Sequence, residues 1–159
     1  MKVISNSTPL IALSRIGELE LLHSLFDNII IPCAVYNEVV LEGAGRPGVK
    51  EVKFASWIIK TEVTNKLAVS LLESDLDYGE SEAIVLAKEL NADYLLVDER
   101  KARRIIRNSG IKVMGTLGVL GLAVKNGLLK DFDNVFKRLD QNGFRFTQTV
   151  KEEVKKYFT

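Results

Sequence analysis

The residues that can do chemistry in this sequence are acids placed where one pattern gives way to another. Asp77-Tyr-Gly-Glu80-Ser-Glu82-Ala-Ile opens a helix with carboxylates, and the apolar run Tyr94–Val97 ends at Asp98-Glu99-Arg100. Asn6 closes a first apolar strand, Lys2–Ser5, and Glu38 lies on a helix that starts at Cys33 or Ala34. Carboxylates at a helix N-terminus and at a strand's C-terminal end can converge on one edge of a parallel sheet, where open α/β folds place their sites. Two carboxylates about 4 Å apart repel by roughly 4 kcal/mol at an effective dielectric near 20, so such a cluster needs a divalent cation or shared protons. An all-oxygen set suits Mg²⁺ or Mn²⁺ better than Zn²⁺.

Two choices within this set follow from geometry. Glu80 and Glu82 stand about 200° apart around a helix, so both cannot face one ion unless the first turn is distorted. Glu80 shares the side of Ala83, Ile84 and Ala87 and is the expected ligand; Glu82 is the alternate, with a favourable place in the first turn of the helix dipole as its other role. Asp98 and Glu99 point to opposite faces if the strand persists. Asp98 is preferred, with Glu99 as the alternate, and Asn6 adds a neutral oxygen.

The elements that position these residues alternate. A strand over 2–5 leads into a helix capped by Ser7 or Thr8 with Pro9 in its first position, then a second helix through Phe26. A strand over 28–31 ends near Pro32, and the helix carrying Glu38 runs to about Leu41. After the Gly/Pro-rich turn 43–48 come a short amphipathic piece, a strand over 57–60 and a helical region between 63 and 74. The helix after Gly79, the strand to Val97, a basic helix over 100–108 and a strand over 112–114 follow. Strands separated by helices call for parallel βαβ units. Two amphipathic helices, about 132–142 and 149–158, close a chain read as a single domain.

Length and composition narrow the chemistry. The chain has 159 residues, 22 basic against 21 acidic, so nucleic-acid contact requires a local patch. One cysteine and one histidine exclude an internal disulfide and a Cys/His zinc site; Cys33, His23 and Trp57 are expected to be structural. No stretch has the length of a membrane span and no signal sequence opens the chain, so a cytoplasmic protein is expected. Arg100, Arg103, Arg104 and Arg107 line one face of the basic helix, with Ala102, Ile105 and Ile106 opposite. That face is either solvated or phosphate-contacting. Gly115, Gly118 and Gly121 match no dinucleotide or P-loop fingerprint and are read as helix-packing positions.

Val3-Ile-Ser-Asn6-Ser-Thr-Pro-Leu-Ile11, Ile31-Pro32 with Val35-Tyr-Asn-Glu38-Val, Gly79-Glu80-Ser-Glu82-Ala-Ile, Leu95-Leu-Val-Asp98-Glu99-Arg100-Lys-Ala-Arg103 and Met114-Gly-Thr-Leu-Gly118 together make the chain resemble the PIN-domain family. The resemblance covers roughly residues 1–130 and is to the small archaeal and bacterial stand-alone members related to VapC-type toxins. It implies an α/β/α sandwich around a mainly parallel sheet and a ribonuclease dependent on Mg²⁺ or Mn²⁺, a toxin of a toxin–antitoxin pair. Carried over by position, the family's acids fall on Glu38, on Glu80 or Glu82, and on Asp98 or Glu99. RNA, an antitoxin protein and a second copy of the chain, in a dimer, are the partners expected. Asn6 departs from the pattern, since the family's first-strand ligand is usually Asp; an amide lowers metal affinity and leaves open a catalytically weak nucleic-acid- or protein-binding module.

Overall fold

The computed structural model describes residues 1–144 and 146–158. Five strands, β1 (Val3–Ser5), β2 (Ile29–Pro32), β3 (Ile58–Thr61), β4 (Tyr94–Leu96) and β5 (Lys112–Met114), form one sheet in the order β3-β2-β1-β4-β5. Every pairing is parallel, with Ile4 opposite both Ile30 and Leu95, and Leu95 opposite Val113. The strands read as short apolar runs because helices cover both faces.

Period-two alternation divides the core. Val3, Ile29, Ile31 and Leu96 face a layer formed by α1 (Ser7–Arg15), α2 (Glu20–Phe26), α3 (Cys33–Tyr36), α8 (Thr116–Lys125) and α9 (Phe132–Gln141). Ile4, Leu95 and Val97 face α5 (Lys66–Leu72), α6 (Tyr78–Glu89) and α7 (Arg100–Ile106). A short α4 (Val49–Phe54) and the terminal α10 (Gln148–Phe158) complete the order. The result is the α/β/α sandwich. No helix among the described residues is long and apolar enough to cross a membrane.

Helix α6 is the element around which the layers are arranged. It packs on β1, β2 and β4 and against α3, α5 and α7, and every residue from Ser81 to Ala87 is buried. Its apolar surface is therefore broader than the single stripe Ala83, Ile84, Ala87 suggests. Asp77 caps it, accepting from the Glu80 amide at 2.8 Å.

Three local expectations are corrected. Asn6, and neither Ser7 nor Thr8, occupies the cap position of α1, so Pro9 stands third in the helix. Its missing N–H costs nothing there, because the first-turn amides have no partner within the helix. The helix carrying Glu38 is α-helical only to Tyr36 and continues as a π-helical turn, Asn37–Leu41, a wider turn that changes the angular position of Glu38. Ile105 does not lie with Ala102 and Ile106: it is 43% exposed, whereas those two are buried. Only a narrow stripe of α7 meets the core.

Candidate active site

Strand order reverses between β1 and β4: the chain moves from β1 outward to β2 and β3, then crosses back to place β4 on β1's other side. A crevice opens at the C-terminal ends of strands at such a point. Asn6 follows β1 there, and its amide donates to the Leu96 carbonyl at 2.9 Å, so the two strand ends are tied together. Asn6 is buried at 5% exposure.

Around the first turn of α6, oxygens gather because Gly79 has no side chain. A Cβ on Gly79 would stand 3.0 Å from Glu38 Oε2 and 3.7 Å from both Asn6 Oδ1 and Asp77 Oδ1. Glu38 is steered into this cradle by Ser7, whose Oγ donates to Glu38 Oε2 at 2.7 Å. Glu80 lies beside it. Burial pushes its carboxyl up to about 7, and a hydrogen bond with Asp77 and the negative charges of Asp77, Glu99 and Glu38 push in the same direction. Like charges this close raise one another's affinity for protons.

Asp98 stands just past the end of β4. Its carboxylate accepts from the Thr116 amide at 2.8 Å and from Thr116 Oγ1 at 2.6 Å, which ties the end of β4 to the start of α8. Arg103 Nε donates to the Val97 carbonyl at 3.1 Å. Gly115 makes room for both groups: a Cβ there would stand 2.5 Å from Arg103 Nη2 and 2.7 Å from Asp98 Oδ1. Of the two adjacent acids, Glu99 is the one whose charge reaches Glu80; its carboxylate also caps α7 through the Lys101 amide at 3.2 Å.

Glu82 has a different task. It is 2% exposed, and its Oε1 accepts from the Ala34 amide at 2.8 Å, capping α3 across the layer. Arg100, Arg104 and Arg107 are exposed, and no acidic side chain among the described residues pairs with them or with Arg103. The sequence assigns no site role to Asp77 or Thr116, and to Ser7 only that of a helix cap. Asp77 had a signal, since Asp-x-x-Glu before an apolar helix is a capping pattern; Ser7 and Thr116 act on acids far away along the chain and carry no local sign.

The donor set is oxygen only, which fits a hard divalent ion. Among the described residues no three acids, histidines or cysteines converge tightly enough to enclose an ion by themselves. No curated protein matches the chain. Among models of protein families, one described as a PIN domain matches residues 2–159, so the match extends through the two C-terminal helices; on that match, and on the parallel five-stranded sheet, the chain belongs to the PIN-domain family.

Proposed function

We propose that this chain is a divalent-metal-dependent ribonuclease, working in the crevice between β1 and β4. The observation that carries the reading is Glu80, a carboxyl pushed up to about 7 beside three further carboxylates on a sheet edge of a nuclease-type fold. A carboxyl perturbed by desolvation and by like charges beside it marks a candidate functional site. Glu38, Glu80 and Asp98, with Asn6 as a neutral oxygen and Asp77 and Glu99 beside them, are the residues that would hold Mg²⁺ or Mn²⁺. A divalent ion bound there supplies an activated water and offsets charge on the scissile phosphate.

The chain's own groups prepare that site. Ser7 fixes one oxygen of Glu38 and Thr116 fixes both oxygens of Asp98, so the two carboxylates are oriented before substrate enters. Arg103 presents its guanidinium beside Asp98, where a phosphate ester approaching the acids would meet a cation. Attack by water on phosphorus breaks one P–O ester bond and leaves a phosphomonoester and a hydroxyl. Arg100, Arg104 and Arg107 extend the cationic surface along α7, a phosphate-contacting role rather than a solvated face. The toxin role with an antitoxin partner, the dimer and the cytoplasmic location belong to the same proposal through the family resemblance.

Asn6 supports a second reading, a PIN-fold binding module with weakened catalysis, because an amide contributes oxygen without charge. One experiment separates them. Single-stranded RNAs are incubated with the protein and Mn²⁺ or Mg²⁺, beside Asp98→Asn and Glu38→Gln, while melting temperature is followed at matched ionic strength. Metal-dependent cleavage lost in both variants supports the nuclease. A metal-dependent rise in melting temperature without cleavage favours the binding module, and no rise counts against a metal site.

A further inference from the structure

The edge strand β5 borders a groove of about 850 Å³ that contains three cations and no acid. Arg103 and Arg107 reach it from α7 on one face of the sheet, and Lys112 reaches it from β5, whose neighbour Tyr94 forms part of the floor. Lys112 Nζ stands 5.8 Å from the centre of the Tyr94 ring, which fixes that ammonium near the far end of the strand. At the near end, Arg103 is anchored on the Val97 carbonyl with Nη2 beside Asp98, so the groove ends next to that carboxylate. The chain is nearly neutral as a whole, so three cations lining a groove that no acid lines are a local feature, with Asp98 beside Arg103 at its end.

We propose that this groove binds the sugar–phosphate backbone of a nucleic-acid strand that flanks the phosphate held at the acidic crevice, with Arg107 and Lys112 as phosphate contacts remote from the chemistry. This rests on the nuclease reading and adds to it a path and one residue, Lys112. A polyanion is the occupant because its charge complements the groove along its whole length, and because a strand whose phosphate sits at Asp98 must leave the crevice past Arg103. A groove that carries a backbone is lined by cations and tolerates many sequences. Lysine on an edge strand also protects it against pairing with another strand. That role accounts for Lys112 but not for Arg103 and Arg107 on a helix beside it, nor for their continuity with the site.

The test uses the full chain and the double variant Arg107→Gln/Lys112→Gln, with Lys50→Gln/Lys53→Gln on α4 as a control that removes the same charge. Neither Arg107 nor Lys112 holds a core hydrogen bond, so matching melting curves are expected. Affinity for a fluorescent single-stranded RNA is measured without metal across a salt series, and cleavage is measured with Mn²⁺. The groove predicts an affinity about tenfold lower for the double variant and a salt slope shallower by about 1.4, roughly 0.7 per contact on a single strand, with the control unchanged. Cleavage of a long RNA should show a raised KM with kcat retained. Equal affinity and slope in wild type and double variant overturn the groove, even where cleavage is normal and the nuclease reading stands. Binding lost in the variant while wild type cleaves nothing supports the groove and removes the nuclease. Wild type that binds an acidic extended peptide at β5 and no nucleic acid overturns the proposal in favour of strand pairing with a protein.

Discussion

Asp98 and Thr116 are joined by two hydrogen bonds, to amide and hydroxyl, which make one carboxylate the link between the end of β4 and the start of α8. Thr116→Val keeps the shape and removes the hydroxyl. A hydrogen bond to a charged acceptor contributes about 1.5–3 kcal/mol, so urea denaturation should show a loss of that order. Any Mn²⁺-induced stabilisation should shrink as well, because Asp98 then keeps only the amide to orient it. A variant as stable as wild type would show that the hydroxyl bond does not hold Asp98.

Glu80 makes stability depend on pH with a definite sign. Its carboxyl stands at about 7 in the native protein against an ordinary 4.5, for the reasons of burial and neighbouring acids given above. Between those values the native state binds more protons than the unfolded chain, so stability falls as pH rises. The contribution is complete below 4.5 and lost once pH passes about 7. Glu80→Gln lacks this titration, so its stability relative to wild type should climb from about pH 5 to about pH 8 in denaturation curves without metal. A constant difference across that window would mean that Glu80 titrates as an ordinary glutamate.

Gly79 and Asn6 allow local geometry to be separated from charge. In Gly79→Ala the new methyl lies where Glu38 Oε2 is 3.0 Å away, so the carboxylate must give by a few tenths of an ångström and its alignment in the cradle changes. Alanine favours a helix over glycine by about 1 kcal/mol, so stability should hold or rise while Mn²⁺ affinity falls. Asn6→Asp acts oppositely: it adds a charge at a buried position beside Glu38 and Asp77, lowers metal-free stability and tightens Mn²⁺ binding. Calorimetric titration with Mn²⁺ on both variants reads the two signs, and equal affinity in all three proteins would remove Asn6 and Glu38 from the site.

Glu82 tests the alternate acid. Glu82→Ala leaves the buried Ala34 amide without its acceptor, a cost of about 1–3 kcal/mol, whereas Glu82→Gln keeps an acceptor and should cost less. Neither should change Mn²⁺ affinity. An affinity loss in Glu82→Gln with stability retained would return Glu82 to the set of ligands.

The sequence alone determined the elements and the edge on which the acids stand. Short apolar runs bounded by turn residues are strands; a strand over 112–114 is found where the pattern places it, and the helix expected after Gly79 begins two residues earlier than Glu80, at Tyr78. Asn6 and Asp98 follow apolar strands directly, and parallel strands bring such residues to one end of a sheet. This much depends on neighbours in the chain, whose spacing is visible in one dimension.

Only the tertiary structure decided where each carboxylate points. At the end of β4 the chain turns from strand into helix, so alternation stops governing direction; packing against Gly115 and Thr116 takes Asp98 to the start of α8 and leaves Glu99 within reach of Glu80. Glu82, two residues from Glu80, goes instead to the Ala34 amide because α3 starts there with its first-turn N–H groups unpaired. Ser7 selects the orientation of Glu38 from 31 positions away, and Thr116 that of Asp98 from 18. Such pairings have no periodicity. They arise because a buried or partly buried carboxylate takes whichever donor the packed layers bring within hydrogen-bonding distance, and that donor is known only once the layers are in place.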